Sequence, residues 1–494
     1  MMHTSFSARA VACLLLLASC AWAGQQPAKA KPAADKVPIT TSSEKARLFY
    51  LEGRDLNEKL RVTDAHALYQ KAVEIDPNFA LAWVGLANTS GTAKDFFDAT
   101  TRAASLAPKV TEGERRIVLG LEAGMKNNPA EVLSNYTALV KLYPNDERAQ
   151  TLLGNTYFGR QDYPAAIEHF EKAIKINPSF SQPYNQLGYA YRFVERYDDA
   201  EKTFRKYTEL IPDDPNPYDS YAELLMKMGR FDESIKNYQK ALSIDPNFVA
   251  SYIGIGNDYI YMGDLEKARA AFAKINEVAR NTGERRTSHL WMAASYVNEG
   301  KTDKAIEEIE AGSKLAQAEN DAAGVSADQT QIGDILREAG RFDEALAHYR
   351  QAVSVIEKAQ VPPEVKAATQ RNLLFEEGRV AVLKNDLATA KAKSAEYAKQ
   401  VALKNRPFEV RQQHELAGMI ALAEKRNDDA VAEFKQANQQ DPRVLLMTSR
   451  ALRAAGKSSE GAAFATKAEK FNGLAFNYAY VHNQSTKGEA RAAQ

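Results

Sequence analysis

Cysteine is nearly absent from this chain. The only two, Cys13 and Cys20, lie within the first twenty residues. The rest has no thiol for a disulfide, a thiolate metal site or a nucleophile. An excess of charge is also lacking: Lys+Arg and Asp+Glu both total 64. With no overall field to draw a polyanion, nucleic acid is not an expected partner. Histidine is sparse and scattered. The seven residues include no two within four positions of each other, so no helical metal pair exists, and His414-Glu415 lacks the second histidine of a zincin. No metal and no cofactor is expected.

Motifs for catalysis are equally thin. Ala451 to Ser458 (ALRAAGKS) satisfies a permissive phosphate-loop pattern, but its intervening residues are helix formers where a real loop needs pliable backbone. Gly254-Ile255-Gly256 lacks a third glycine, and no nucleophile elbow occurs. After residue 20 no stretch reaches the roughly eighteen apolar residues needed to span a membrane.

What is present begins at the N-terminus. A polar start with Arg9 leads into the apolar run Val11–Ala18 and then small residues, the layout of a signal peptide. Two processing outcomes fit. Ala21-Trp22-Ala23 before Gly24 suits ordinary signal peptidase, giving a signal peptide at 1–23. Leu17-Ala18-Ser19-Cys20 resembles a lipobox, which would make Cys20 a lipidated first residue and the sole route to a membrane. Both imply export to the periplasm or cell envelope. Residues 24–43, rich in Pro, Ala and Lys and without an apolar face, read as a flexible linker.

From there a period dominates. Gly154, Gly188, Ala222 and Gly256 are 34 residues apart, and so are Phe170, Phe204, Tyr238 and Phe272. Ala166, Ala200, Ser234 and Ala268 keep the same step, as do Pro144, Pro178, Pro212 and Pro246. Within each unit a first small residue precedes a second by twelve positions, as in Gly53–Ala65, Gly188–Ala200 and Gly418–Ala430. Two helices crossing closely need small side chains where their backbones approach. An aromatic four positions later (Tyr69, Phe170, Phe204, Tyr349, Phe434) fills the hairpin core. Gly229, Gly263, Gly300 and Gly340 mark the ends of first helices, and Asp198, Asp232, Asp303 and Asp343 the starts of second ones.

These residues resemble the tetratricopeptide repeat, whose signature is clearest at Gln150, Leu153, Gly154, Tyr157, Ala166, Phe170, Ala173 and Pro178. Eleven or twelve units begin near 46, 80, 113, 147, 181, 215, 249, 286, 326, 371, 411 and 442. The resemblance implies an all-α fold, a right-handed superhelical α-solenoid whose concave face is lined by first helices. A regular array of about seven units is expected over 44–282, a more degenerate one of about five over 283–475, and a cap and tail over 476–494. Ala103 stands where the second unit should carry its aromatic. Short spacers are read at 320–325, 360–370 and 405–410, so the second half is expected to be looser than the first, with a bend near residue 365. The aromatic stretch Phe471–Tyr480 reads as a helix covering the last unit.

The repeats consume nearly the whole chain, leaving no room for a catalytic domain of ordinary size. The chain is therefore expected to bind protein or peptide partners rather than to be an enzyme, in envelope assembly, export or secretion. Two alternatives stay open: a self-assembling solenoid whose groove takes its own tether or tail, and an enzyme linked to the repeats. Homo-oligomerisation is not legible. In the family, the second, fifth, ninth, twelfth and thirteenth residues of a unit face the groove. In the regular units this selects Asn155, Asn185, Tyr189, Arg192, Asp219, Glu223, Asn257 and Tyr261. The Lys-then-Asn clamp of chaperone adaptors is not assembled, because Asn155 follows Thr151 and Asn257 follows Ile253.

Overall fold

The computed structural model describes residues 35–404, 406–474 and 476–482. The segment read as a signal peptide, with Cys20, the part of the expected linker up to residue 34 and the tail from 483 lie outside the described residues. Within them, twenty-four α-helices pair consecutively into twelve hairpins. The first seven are α1 (Glu44–Glu58) with α2 (Val62–Ile75), α3 (Ala80–Asn88) with α4 (Ala93–Leu106), α5 (Glu112–Met125) with α6 (Pro129–Leu142), α7 (Glu147–Gly159) with α8 (Tyr163–Ile176), α9 (Gln182–Phe193) with α10 (Tyr197–Leu210), α11 (Asn216–Lys227) with α12 (Phe231–Ile244), and α13 (Val249–Tyr261) with α14 (Leu265–Val278). Five more follow: α15 (Thr282–Glu299) with α16 (Thr302–Ala318), α17 (Ala322–Glu338) with α18 (Phe342–Lys358), α19 (Pro363–Leu383) with α20 (Leu387–Lys404), α21 (Pro407–Ala423) with α22 (Asn427–Gln436), and α23 (Pro442–Ala454) with α24 (Ser458–Glu469).

Glycine meeting aromatic holds several of the hairpins closed. A Cβ on Gly154 would lie 2.6 Å from Phe170, one on Gly256 2.2 Å from Phe272, and one on Gly333 2.4 Å from Tyr349. Only a bare backbone lets those rings in, and Phe170, Phe204, Phe272 and Phe434 are fully buried there. Ala103 leaves no ring in the second hairpin; it packs instead with Val84, Leu106 and Val118.

Turn chemistry accounts for the ends. Gly229, Gly263, Gly300, Gly340 and Gly456 have φ of 74, 81, 79, 80 and 77°, the left-handed conformation that glycine adopts cheaply. Other hairpins place Leu60, Asn127, Gln161, Glu195, Asn385 and Lys425 in the same conformation, where a side chain is strained. The carboxylates of Asp198, Asp232 and Asp343 lie in the first turn rather than at the cap. The N-cap residues are Arg196, Arg230 and Arg341, each bonded to an acid three residues on: Asp199, Glu233 and Glu344.

The expected spacers are largely helix. The second helices α2, α6, α8, α10 and α12 each run 14 residues and stop two residues before Pro77, Pro144, Pro178, Pro212 and Pro246. No such proline follows α16, α18 or α20, which extend to 17, 17 and 18 residues. Pro363 and Pro407, read as breaks, open α19 and α21, where a missing N–H costs nothing. From α15 to α21 the helices therefore run 17 to 21 residues, and α22, α23 and α24 return to 10, 13 and 12.

Stacking brings hairpins seven units apart into contact. Thr63 and Asp64 of the first hairpin meet Glu284 and Arg280 at 3.3 and 3.5 Å. Further along, Gln161 bonds Asn438, Arg411 bonds the Arg160 carbonyl, and Lys467 pairs with Glu195. The array is a superhelix whose second turn rests on its first.

The residues before α1 depart from expectation. Over 35–43 the segment expected to be a free linker is a strap across three hairpins. Thr41 and Ser42 donate to Asp76, Thr40 donates through both N–H and hydroxyl to Glu114, and the Val37 N–H bonds Asp146 at 2.8 Å. Lys36 pairs with Glu147. A strap with no apolar periodicity looks like linker; what fixes it is a ladder of carboxylates contributed by distant units. Burial would push the Asp76 carboxyl up, but the Thr41 hydroxyl and the Ser42 and Asn78 N–H groups hold it below the usual range.

Candidate peptide-binding groove

A cavity of about 760 Å³ opens among α1, α3, α5 and α7, with the strap residues Lys36–Ile39 as one wall. Its lining follows the repeat. From α1 come Arg47, Tyr50, Arg54, Asn57 and Glu58, from α3 Leu81, Val84 and Asn88, from α5 Ile117, and from α7 Arg148, Thr151 and Asn155. These are the second, fifth, ninth, twelfth and thirteenth positions of the first four units.

The floor is aromatic and aliphatic, and the rim is ionic. Tyr50 sits against Tyr69 and Phe79 at ring-centroid distances of 5.9 and 4.9 Å, its phenol pushed up by burial. Arg54 lies over the Tyr50 ring at 5.7 Å. Arg148 makes a two-pronged bond to Glu58 at 2.7 and 2.9 Å and covers the Phe180 ring at 4.7 Å. A groove with ring faces, side-chain amides, guanidinium forks and a carboxylate can hold both the backbone and the side chains of an extended chain.

Of the eight residues selected from sequence, only Asn155 lines this cavity. Asn185, Asp219 and Asn257 are buried. Tyr189 and Arg192 both bond Glu223, at 2.8 and 3.1 Å, with the guanidinium over the Tyr189 ring at 4.9 Å. Asp219 accepts from Ser251 at 2.7 Å, its carboxyl pushed up by burial and by the charge of Glu223. Tyr261 bonds the backbone of Gly473 near the C-terminus. Within this set Tyr189, Arg192 and Glu223 bond one another, Tyr261 holds the chain's own tail, and Asn185, Asp219 and Asn257 are buried rather than open. Arg47, Tyr50, Arg54 and Arg148 were missed because the rule was applied only where the 34-residue period is most regular.

A family model described as TPR repeat matches residues 154–192 and 222–263, and two described as tetratricopeptide repeat match 284–358 and 181–214. The chain carries tetratricopeptide repeats (TPR) within 154–358. Anaphase-promoting complex subunit CDC16 of Saccharomyces cerevisiae is 28% identical over 115 residues, 23% of this chain and 14% of the yeast protein's length. A crystal structure of MamA covers 32% of this chain and 94% of its own at 25% identity, with a TM-score of 0.28. An IFIT1 monomeric mutant with Gppp-AAAA covers 88% of this chain and 92% of its own at 12% identity, with a TM-score of 0.40.

Later in the TPR array the same positions carry charges that neutralise each other. The Arg337 side chain, fully buried, pairs with Asp334, Glu338 and Glu376 and donates to the Tyr349 hydroxyl. Arg379 joins Glu376 to Glu415, and Arg443 reaches Glu338 at 3.5 Å. Removing one member of such a cluster strands a buried charge, at about 3–5 kcal/mol. These groove positions are structural. Lys457 of the phosphate-loop pattern pairs with Asp428 at 2.7 Å, just after Gly456 ends the turn that follows α23. Among the described residues no group of three or more His, Cys, Asp or Glu could hold a metal ion, and no helix is long and apolar enough to cross a membrane.

Proposed function

We propose that this TPR protein is an exported scaffold of the cell envelope that binds an extended protein segment in the groove of its first four repeats. The observation that carries the reading is the cavity: four consecutive units aim their groove positions at one open space, whereas the groove positions sampled in later units are paired with each other or with the tail. The amphipathic lining, ringed by Arg47, Arg54 and Arg148, favours a segment with aromatic or aliphatic side chains and carboxylates of its own. Export rests on residues 1–23 and their Val11–Ala18 core. Nothing in the lining brings a nucleophile and a base together, which favours binding over catalysis.

The test is the double substitution Arg54→Ala with Asn155→Ala, assayed against an envelope partner by titration. Partner affinity falls tenfold or more while helicity and melting stay unchanged, and Lys172→Glu, an exposed position on α8, leaves affinity as it was. Normal binding by the groove variant together with loss in Lys172→Glu would move the site to the outer surface.

A further inference from the structure

The C-terminal segment is held as a bound peptide is held. After α24 the chain turns back across the array, and residues 471–474 pass in non-helical conformation over α11 and α13 before a last helical stretch at 476–482. Lys227 donates to the Phe471 carbonyl at 2.6 Å and places its ammonium 4.6 Å from the centre of the Phe471 ring. One Tyr261 hydroxyl serves both polar atoms of Gly473, donating to its carbonyl at 2.6 Å and accepting from its N–H at 2.7 Å. Lys227 and Tyr261 are 34 residues apart, each the thirteenth residue of its unit. Successive repeats thus read alternate residues of the segment, and they read its backbone.

Side chains supply the rest. Leu474 packs into the cluster of Met226, Tyr238 and Ile255, and Tyr478 lies against Tyr261 at 4.5 Å. The Tyr480 hydroxyl accepts from Gln331 at 3.0 Å, and Val481 joins Leu445 and Ala468 of the last hairpin. A cap would touch only the last unit; this segment touches four. Gly473 is buried where the backbone comes closest to Tyr261, and Asn472 between the two anchors takes a left-handed φ of 40°, which favours Asn or Gly at the middle of the triplet.

We propose that Lys227 and Tyr261 form a second peptide subsite, specific for a non-helical aromatic-x-Gly segment whose middle residue takes a left-handed φ, and that the chain's own Phe471-Asn472-Gly473 is its resident ligand. A partner segment of the same chemistry enters only by displacing the tail. The proposal rests on the groove reading above, but its test needs neither the envelope partner nor the cavity of the first four repeats.

Two measurements on the full-length chain decide it. In Tyr261→Phe, hydrogen exchange at 471–474 speeds up tenfold or more while α11 to α14 keep their protection. In a release variant carrying Phe471→Ser and Tyr478→Ser, a labelled synthetic peptide of residues 468–482 binds with micromolar affinity. It binds the unaltered chain at least tenfold more weakly, and adding Tyr261→Phe to the release variant abolishes binding. Unchanged exchange in Tyr261→Phe would overturn the proposal, as would equal peptide binding to released and unaltered chains. If the release variant fails to fold, the exchange result alone decides.

Discussion

Placing a methyl group on Gly188 tests the close helix crossing on which the regular hairpins depend. The added Cβ would lie 2.6 Å from both Cε1 and Cζ of Phe204 and 2.8 Å from Cε2. Normal contact between carbons begins near 3.5 Å, so the ring must move by most of an ångström. It has nowhere to go: Phe204 is fully buried and meets Tyr189 edge-on at 5.3 Å. Alanine gains about 1 kcal/mol over glycine in helix propensity, and overpacking costs about 1–3 kcal/mol. Gly188→Ala therefore comes out between neutral and about 2 kcal/mol destabilising. Gly188→Leu, with three more heavy atoms in the same gap, falls at or beyond the upper end. Gly159 is the control, since nothing lies within 4 Å of its Cβ position at the exposed end of α7. Gly159→Ala keeps the propensity gain without the clash and stabilises by up to about 1 kcal/mol. Urea unfolding gives the magnitudes. Hydrogen exchange of Gly188→Leu locates the damage in α7 to α12, because repeats couple mainly to their neighbours. Gly188→Ala as stabilising as Gly159→Ala, or loosening spread evenly over all twelve hairpins, would refute the reasoning.

Other outcomes follow from single sites. Lys425→Gly relieves an exposed left-handed residue with φ of 62° and raises stability by about 1 kcal/mol in urea unfolding. Burial pulls the imidazoles of His169 and His348 below their usual range; the folded state then binds fewer protons than the unfolded one. Their contribution is therefore complete above about pH 6.5 and is lost as pH falls below it, which a pH series of melts on His169→Gln checks by its flatter acid limb. Burial pushes the Asp258 carboxyl the other way, up to about 8. Folding there becomes less favourable as pH rises from about 4 to about 8, and Asp258→Asn flattens that slope. Intact mass of the exported product shows a chain starting at Gly24 or at a lipidated Cys20; an unprocessed Met1 in the envelope would remove the export reading.

Local chemistry made the hairpins legible. A 34-residue recurrence of glycine under an aromatic ring identifies a helix crossing wherever it occurs, and Gly229, Gly263, Gly300 and Gly340 end first helices because few other residues take that conformation cheaply. The longer helices were harder to read. Pro363 and Pro407 look like breaks to local pattern reading, yet each begins a helix that absorbs an apparent spacer. The groove was half legible. The position rule selects Arg54 and Asn155 as readily as Tyr189 and Asp219, but it cannot tell which positions remain open. That depends on pairs distant in sequence: Tyr189 and Arg192 with Glu223, Arg337 with Glu376, Tyr261 with Gly473. The strap and the tail were illegible for the same reason. Thr40 and Gly473 carry no periodicity of their own, and the groups that hold them, Glu114 and Tyr261, lie 74 and 212 residues away.

Site-specific photo-crosslinking in the living cell tests the central claim most directly. A photoreactive residue replaces Asn155 in the cavity, Asn185 in the buried row of α9, or Lys172 on the outer face of α8, one at a time. A discrete adduct of higher mass forms from position 155, and none forms from 185 or 172. An adduct from 172 with none from 155 would contradict the account.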